Sequence, residues 1–256
     1  MAKKQTNPVS SVDIENEYVS ESKSSAVDTE FKKIRQSMKI DIKCKNAKQK
    51  EFLKNLKNEQ HEICIGTGAP GTGKSYISIG YALKSLKEGK AETITIIVPT
   101  CEASSALSIG LLPGTINEKI RPFMDATMYT MKKILTQGGT QDAESIVKYL
   151  TTHKKINYEI ISYIRGKTFD KTIMLIEEAE NLSKEEILLA ITRIGEESKL
   201  IMSGDYKQCD RTYNIKMSGL EHAANKLCGF DEVGITEFSE DDVVRNPLIT
   251  KILKNW

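Results

Sequence analysis

Gly68-Ala69-Pro70-Gly71-Thr72-Gly73-Lys74-Ser75 is the stretch whose reading decides the fold. It satisfies the pattern G-x-x-x-x-G-K-[ST] at every fixed position. Its glycines let the backbone curl so that successive N–H groups point inward, a concavity suited to phosphate oxygens. The context also fits. A short apolar run, Ile63-Cys64-Ile65, precedes the loop, and Ile79, Leu83 and Leu86 recur after it at i, i+4 and i+7, with Gly89 placed to cap a helix. A strand, a glycine-rich turn and a helix opening near Lys74 would add the positive helix end to the cradle. Lys74 supplies a mobile charge for the β- and γ-phosphates, and Ser75 a hydroxyl ligand for Mg²⁺. The expected ligands are therefore ATP and Mg²⁺, held along Gly68, Ala69, Pro70, Gly71, Thr72, Gly73, Lys74, Ser75 and Tyr76.

Outward from the loop, Ile94 to Val98, Ile173 to Ile176 and Leu200 to Ser203 are near-continuous apolar runs. Such runs mark strands covered on both faces, as in a parallel sheet between helices. Val233 to Phe238 is a further strand candidate. Between them, Ile120, Met124, Met128, Met131 and Leu135 share one face of a helix expected over about 117–135, its methionines serving as core filler. Another helix is expected from about Asp142 to Thr152, and a third from Ser183, where Ser183-Lys184-Glu185-Glu186 fits a capping box. Strand alternating with helix predicts an α/β fold, a largely parallel sheet flanked by helices.

A phosphate loop needs an acid at the end of a neighbouring strand. Ile173-Met174-Leu175-Ile176-Glu177-Glu178 places two there, at the sheet edge where α/β folds bind ligands. Glu177 is expected to assist the metal and Glu178 to orient or deprotonate the attacking water.

Bulk properties set the frame. The 256 residues include 39% apolar side chains, enough for a sizeable core. The net charge of +2 neither demands nor excludes nucleic acid. The five cysteines lack C-x-x-C spacing and sit near no histidine at zinc-ligand spacing, which argues for reduced, structural thiols. No run of about 18 apolar residues and no secretory leader is present, so a cytoplasmic protein without membrane contact is expected, in a host's cytoplasm if the gene is viral. Residues 1–40 are polar and Ser-rich and read as a flexible N-terminal arm with a short helix near Phe31 to Met38; residues 41–256 read as one ATPase domain.

Several segments in fixed order resemble the PhoH-like ATPases. They are Gly66 to Ser75, Leu111-Leu112-Pro113-Gly114, Tyr163-Ile164-Arg165-Gly166, Ile176 to Asn181, Thr192-Arg193-Ile194-Gly195, Gly204-Asp205 with Gln208, and Glu240 to Pro247. The resemblance implies a RecA-like P-loop core similar to one motor domain of superfamily 1 helicases, ATP hydrolysis, frequent assembly into a hexameric ring, and a link to RNA in some members. It implies adenine-side roles for Asn46 and Gln49, a γ-phosphate sensor at Gln208, and an arginine finger at Arg245, with Arg193 and Arg121 as rivals. Three positions depart from the family pattern: Glu177 stands for Asp, Glu180 for Gln and Val98 for Arg. Some relatives carry a nuclease domain ahead of the core; the arm here is too short for one, so no ribonuclease activity of that type is expected.

The stretch His153-Lys154-Lys155 to Arg165-Gly166-Lys167, interleaved with Tyr158 and Tyr163, has the composition of a single-stranded RNA or DNA surface and equally of a solvated loop with inward tyrosines. A single RecA-like lobe needs a neighbouring subunit for its second wall, so a homo-oligomer, with a hexamer suspected, is expected. A nucleotide-dependent assembly or binding module, and a small-molecule kinase, are the alternatives.

Overall fold

The computed structural model describes residues 29–99, 116–206 and 218–244. The described residues divide into two units, one ending at Met38 and one beginning at Lys39. In the first, 29–37 is a helix, α1.

Among its described residues the second unit has six strands: β1 (Ile63–Gly68), β2 (Thr93–Val98), β3 (Ile156–Ile160), β4 (Thr172–Ile176), β5 (Lys199–Gly204) and β6 (Val233–Phe238). They form one sheet in the order β3-β2-β4-β5-β1-β6, parallel at every pairing. The helices are α2 (Ala47–Lys57), α3 (Lys74–Glu88), α4 (Ile116–Gln137), α5 (Ala143–Thr152), α6 (Lys184–Ile191) and α7 (Gly219–Leu227). This is the expected α/β architecture. The phosphate-loop strand β1 and the acid-bearing strand β4 are both central, separated by β5, so both site strands are paired along each of their edges.

The sheet's two faces carry different helices. Ile63 and Ile65 face α6 and α7, packing with Met174, Met202, Ile187 and Ala223. Residues alternate along a strand, so Gly66 faces the other way, where an added Cβ would meet the Phe52 ring of α2 at 2.8 Å. From there α2 packs on α3, α3 on α4, α4 on α5 and α5 on β3, covering that face from one edge to the other. Ile65, Ile79, Leu83 and Leu86 are fully buried, each contributing on the order of 1.5–3 kcal/mol of apolar burial.

Local signals hold where they were strong. The capping box of α6 is reciprocal: Glu186 N–H donates to Ser183 Oγ at 3.2 Å, and Ser183 N–H to Glu186 Oε2 at 2.8 Å. Gly89 ends α3 in the left-handed region, at φ 76°. The methionine face of α4 is inward, with Met131 and Leu135 fully buried. The C-terminus of α2 has a less visible cap. The buried ammonium of Lys199 donates to the carbonyls of Leu56 and Asn58, each at 2.8 Å, and lies 5.6 Å from the Tyr81 ring centroid.

β3 divides the basic stretch in two. Ile156-Asn157-Tyr158-Glu159-Ile160 is an edge strand paired with β2. Its span of about 15 Å separates His153, Lys154 and Lys155 at one end of the sheet from Tyr163, Arg165 and Lys167 at the other. No helix among the described residues is long and apolar enough to cross a membrane.

Candidate active site

The loop between β1 and α3 lies at the C-terminal edge of the sheet, as the motif requires. Gly68, Gly71 and Gly73 all have positive φ, at 115°, 79° and 90°. Gly68 is also sterically fixed: a Cβ there would lie 1.9 Å from the Phe238 carbonyl oxygen of β6. The loop is held from its β6 side. Val244 N–H donates to Gly71 O at 3.0 Å, and Gln49 Nε2 donates to Thr72 O at 2.7 Å. Gln49 Oε1 accepts from Lys45 N–H at 2.6 Å. Asn46 caps α2 by accepting from Gln49 N–H at 2.8 Å, and its own amide donates to Asp242 O at 2.9 Å. Asn46 and Gln49 thus bind α2, the phosphate loop and the segment after β6 into one unit.

Lys74 opens α3 and turns its ammonium back into the loop. It donates to Gly68 O, to Ala69 O at 2.9 Å and to Thr72 Oγ1 at 3.4 Å. Burial pulls its pKa below the usual lysine value, and the charges of Asp205 and Glu180 oppose that pull.

The acids arrive from β4 and β5, whose ends are brought level by the register Ile176↔Met202. Pro70, Gly71, Lys74, Ser75, Glu177, Glu178, Glu180, Asp205 and Val244 line one cleft of about 450 Å³, together with Tyr76 and Lys133. Burial pushes the Glu177 carboxyl up to about 7 against a hydrogen bond from Ser75 that lowers it, and the neighbouring Glu178 charge raises it further. Glu177 Oε1 is shut off from solvent and has no hydrogen-bond partner among the described residues. A buried orphan oxygen is costly, and here it lies on a carboxylate that also meets the Ser75 hydroxyl. That donor set, one hydroxyl and one carboxylate beside a phosphate loop, fits Mg²⁺, which takes few protein oxygens and completes its shell with phosphates and water. No cluster of three or more His, Cys, Asp or Glu suited to a metal occurs among the described residues.

Glu178 is exposed in the cleft, and its backbone is left-handed at φ 51°, ψ 41°. A non-glycine residue in that region costs roughly 1–2 kcal/mol. The kink turns the chain between β4 and the 3-10 turn Ala179–Asn181. Glu180 is buried, and burial pushes its carboxyl up to about 7; backbone N–H groups of Glu180 and Asp205 lower it, while the charges of Glu178 and Asp205 raise it. Gly204 makes room for it, since a Cβ there would sit 2.2 Å from Glu180 Oε2.

A parallel core with β5 between the phosphate strand and the acid strand, and with both acids at the loop's edge, is the RecA-like P-loop arrangement. The PhoH-like protein family model matches residues 41–256. The chain belongs to the PhoH-like family. It is 32% identical to a PhoH-like protein of Bacillus subtilis over 215 residues, 84% of this chain and 64% of that protein. It is 29% identical to protein PhoH of Escherichia coli K12 over 214 residues, 83% of this chain and 57% of that protein. The chain therefore spans under two thirds of the length of these relatives. Among solved structures it is similar to the large terminase of a thermophilic bacteriophage, at 10% identity and a TM-score of 0.49, covering 82% of this chain and 48% of that one.

Of the remaining family positions, Gln208 and Arg245 lie outside the described residues. Neither rival arginine lines the cleft. Arg121 is exposed and lies 3.9 Å from Asp125 on its own helix. The Arg193 guanidinium donates to Lys167 O at 3.2 Å and to Thr192 Oγ1 at 3.3 Å. Glu180 and Asp205 enter the cleft as more than motif letters, and Lys133 enters it unforeseen. Sequence patterning could show only that Lys133 lies on the polar side of α4.

Proposed function

We propose that this chain binds and hydrolyses ATP with Mg²⁺. The observation that carries the reading is the convergence of Lys74, the Ser75–Glu177 pair and the exposed Glu178 in one cleft at the phosphate loop.

The loop's backbone N–H groups and the start of α3 would hold the phosphates, and Lys74 would shift its donors from loop carbonyls to the β- and γ-phosphate oxygens. Ser75 and Glu177 would hold Mg²⁺, which would supply positive charge to offset that of the phosphates. Glu178, solvent-accessible in the cleft, would orient the attacking water and accept its proton. Gln208 as γ-phosphate sensor and Arg245 as a finger reaching a neighbouring subunit rest on the family resemblance. That pairing of one subunit's cleft with another's arginine supports a ring, with six members as the reading.

Single-stranded RNA or DNA is proposed to cross the corner after β3. Tyr163 there is 56% exposed, beside exposed Arg165, on the same edge of the sheet as the cleft. An exposed ring next to a cation suits base stacking and backbone tracking.

The test is phosphate release from Mg²⁺-ATP at several protein concentrations, with and without single-stranded RNA and DNA. Turnover that rises with concentration and disappears in Lys74→Ala and Glu178→Gln is expected. ATP binding without phosphate release sensitive to these variants would instead establish a nucleotide-dependent binding module, and a phosphorylated acceptor would establish a kinase.

A further inference from the structure

Lys133 is the second lysine in the cleft. It lines the same space as Lys74, Glu177, Glu178, Glu180 and Asp205. Among the described residues, four carboxylates and two ammonium groups thus share one pocket. Lys133 forms no ion pair or hydrogen bond with any of those acids among the described residues, whereas its neighbour Lys132 is bound to Glu144.

Its position is set by packing. Ile134 is fully buried and reaches to 3.8 Å of the Cβ position of Gly80 on α3. Gln137 lies one helical turn beyond Lys133 on the same face, and its Oε1 accepts from Tyr76 Oη at 3.3 Å. Tyr76 directly follows Ser75, so α4 is pinned to the first turn of the phosphate-loop helix. Lys133 projects from that pinned face one turn nearer the cleft.

The side from which it approaches decides which phosphate it meets. On the β6 flank, Gln49 and Val244 hold the loop. α4 lies on the other flank, packed on α3 and α5, with α5 on the β3 edge. That is the flank of Ser75 and Glu177, the pair suited to the metal. Groups that share a metal with a nucleotide sit at its terminal phosphates.

We propose that Lys133 is a phosphate-contacting residue acting in cis: a second cation that binds the terminal phosphate of the nucleotide from α4, opposite the loop, and favours the triphosphate over the diphosphate. The inference rests on the proposed nucleotide site and adds a cation that the phosphate-loop motif does not contain. It also gives a role to a lysine that lines the cleft yet pairs with none of its four acids among the described residues.

The experiment measures affinities for fluorescent mant-ATP and mant-ADP, with Mg²⁺, in the wild type, Lys133→Ala, Lys133→Arg and Lys132→Ala, with melting temperatures as a folding control. Lys133→Ala is expected to weaken mant-ATP about tenfold and mant-ADP by no more than about twofold, the loss of one charge-assisted contact. Lys133→Arg should retain most of the preference, and Lys132→Ala should match the wild type. Wild-type binding with both affinities unchanged in Lys133→Ala overturns this inference and leaves the ATP site standing. Equal losses for both nucleotides also overturn it, because they place the lysine away from the terminal phosphate. A wild-type chain that binds neither nucleotide overturns both the site and the inference. Because the readout is binding, a chain that binds ATP without turning it over still decides the role of Lys133.

Discussion

Gln49 Nε2 donates to the carbonyl of Thr72 at 2.7 Å, tying α2 to the middle of the phosphate loop. The amide is 3% exposed, its oxygen is used by Lys45 N–H, and the chain at Gly73 has room for it only because no Cβ intrudes at 2.6 Å. Gln49→Ala leaves a buried carbonyl without its donor, so a stability loss of about 1–3 kcal/mol in urea denaturation is expected. Nucleotide binding should weaken with it. The base identity separates two roles. A residue that clamps the loop loses ATP and GTP affinity equally when removed, whereas one that reads adenine loses ATP selectively. Equal losses are expected, and unchanged stability and affinity would show that the loop holds its shape without Gln49.

Glu180 gives a pH prediction with a definite sign. Burial pushes its carboxyl up to about 7 in the folded chain, from 4.5 for an ordinary glutamate. Between those values the folded state keeps a proton that the unfolded state has released. Stability is therefore greatest below about pH 4.5 as far as this group is concerned, and it falls as pH rises toward 7. Glu180→Gln, which removes the titration and keeps the shape, should raise stability at pH 8 by on the order of 2–3 kcal/mol and change it little at pH 4.5. Denaturation midpoints across that range check it. Glu177 titrates in the same window for a similar reason, so the variant should flatten the pH dependence by about half rather than abolish it.

The parts of the site written in contiguous residues were legible in the sequence. Gly68 to Ser75 carries its own geometry, because the positive φ angles fall on glycines and the strand and helix adjoin the motif. The placement of Glu177 and Glu178 was legible because a short, near-continuous apolar run ending in acids reads as a buried strand finishing at the sheet edge. The order of the sheet was not, since neither the pairing of β5 between β1 and β4 nor the level register of their ends leaves a local mark. β3 was legible in principle: Ile156, Tyr158 and Ile160 alternate with Asn157 and Glu159, a period of two, but the flanking lysines drew the stretch toward a loop. α7 went unassigned although Ser218 caps it by accepting from Glu221 N–H at 3.1 Å. Lys133 and Lys199 show the deeper limit. Each is a lysine on a regular element, and only tertiary placement makes one a cleft cation and the other a helix cap.

Lys199 tests that second role. Its ammonium supplies donors to the carbonyls of Leu56 and Asn58 at the end of α2. Burial holds its pKa below the usual lysine value, with the charges of Cys64 and Glu59 raising it and Lys90 lowering it. Lys199→Met keeps the length and removes both donors, leaving two carbonyls without them. A loss of about 1–3 kcal/mol is expected, less than two full hydrogen bonds because a desolvated charge is removed at the same time. A denaturation midpoint equal to that of the wild type would mean that water replaces the lysine at the helix end.

The corner after β3 tests the nucleic-acid proposal. Tyr163 is 56% exposed and Arg165 is exposed beside it, while the Tyr158 hydroxyl is buried in the same structure. The two tyrosines of the basic stretch should therefore behave differently. Tyr163→Ala is expected to weaken binding of single-stranded RNA by about 1–3 kcal/mol, the contribution of one stacked base. Arg165→Ala should weaken it and also lower its salt dependence, since a phosphate contact is lost with its released counterion. Tyr158→Phe should leave RNA affinity as it is, because the buried hydroxyl is out of reach of a nucleic acid. Fluorescence anisotropy with a labelled oligonucleotide at two salt concentrations reads all three. RNA affinity indifferent to both Tyr163 and Arg165 would remove this corner from the nucleic-acid path and leave the nucleotide site untouched.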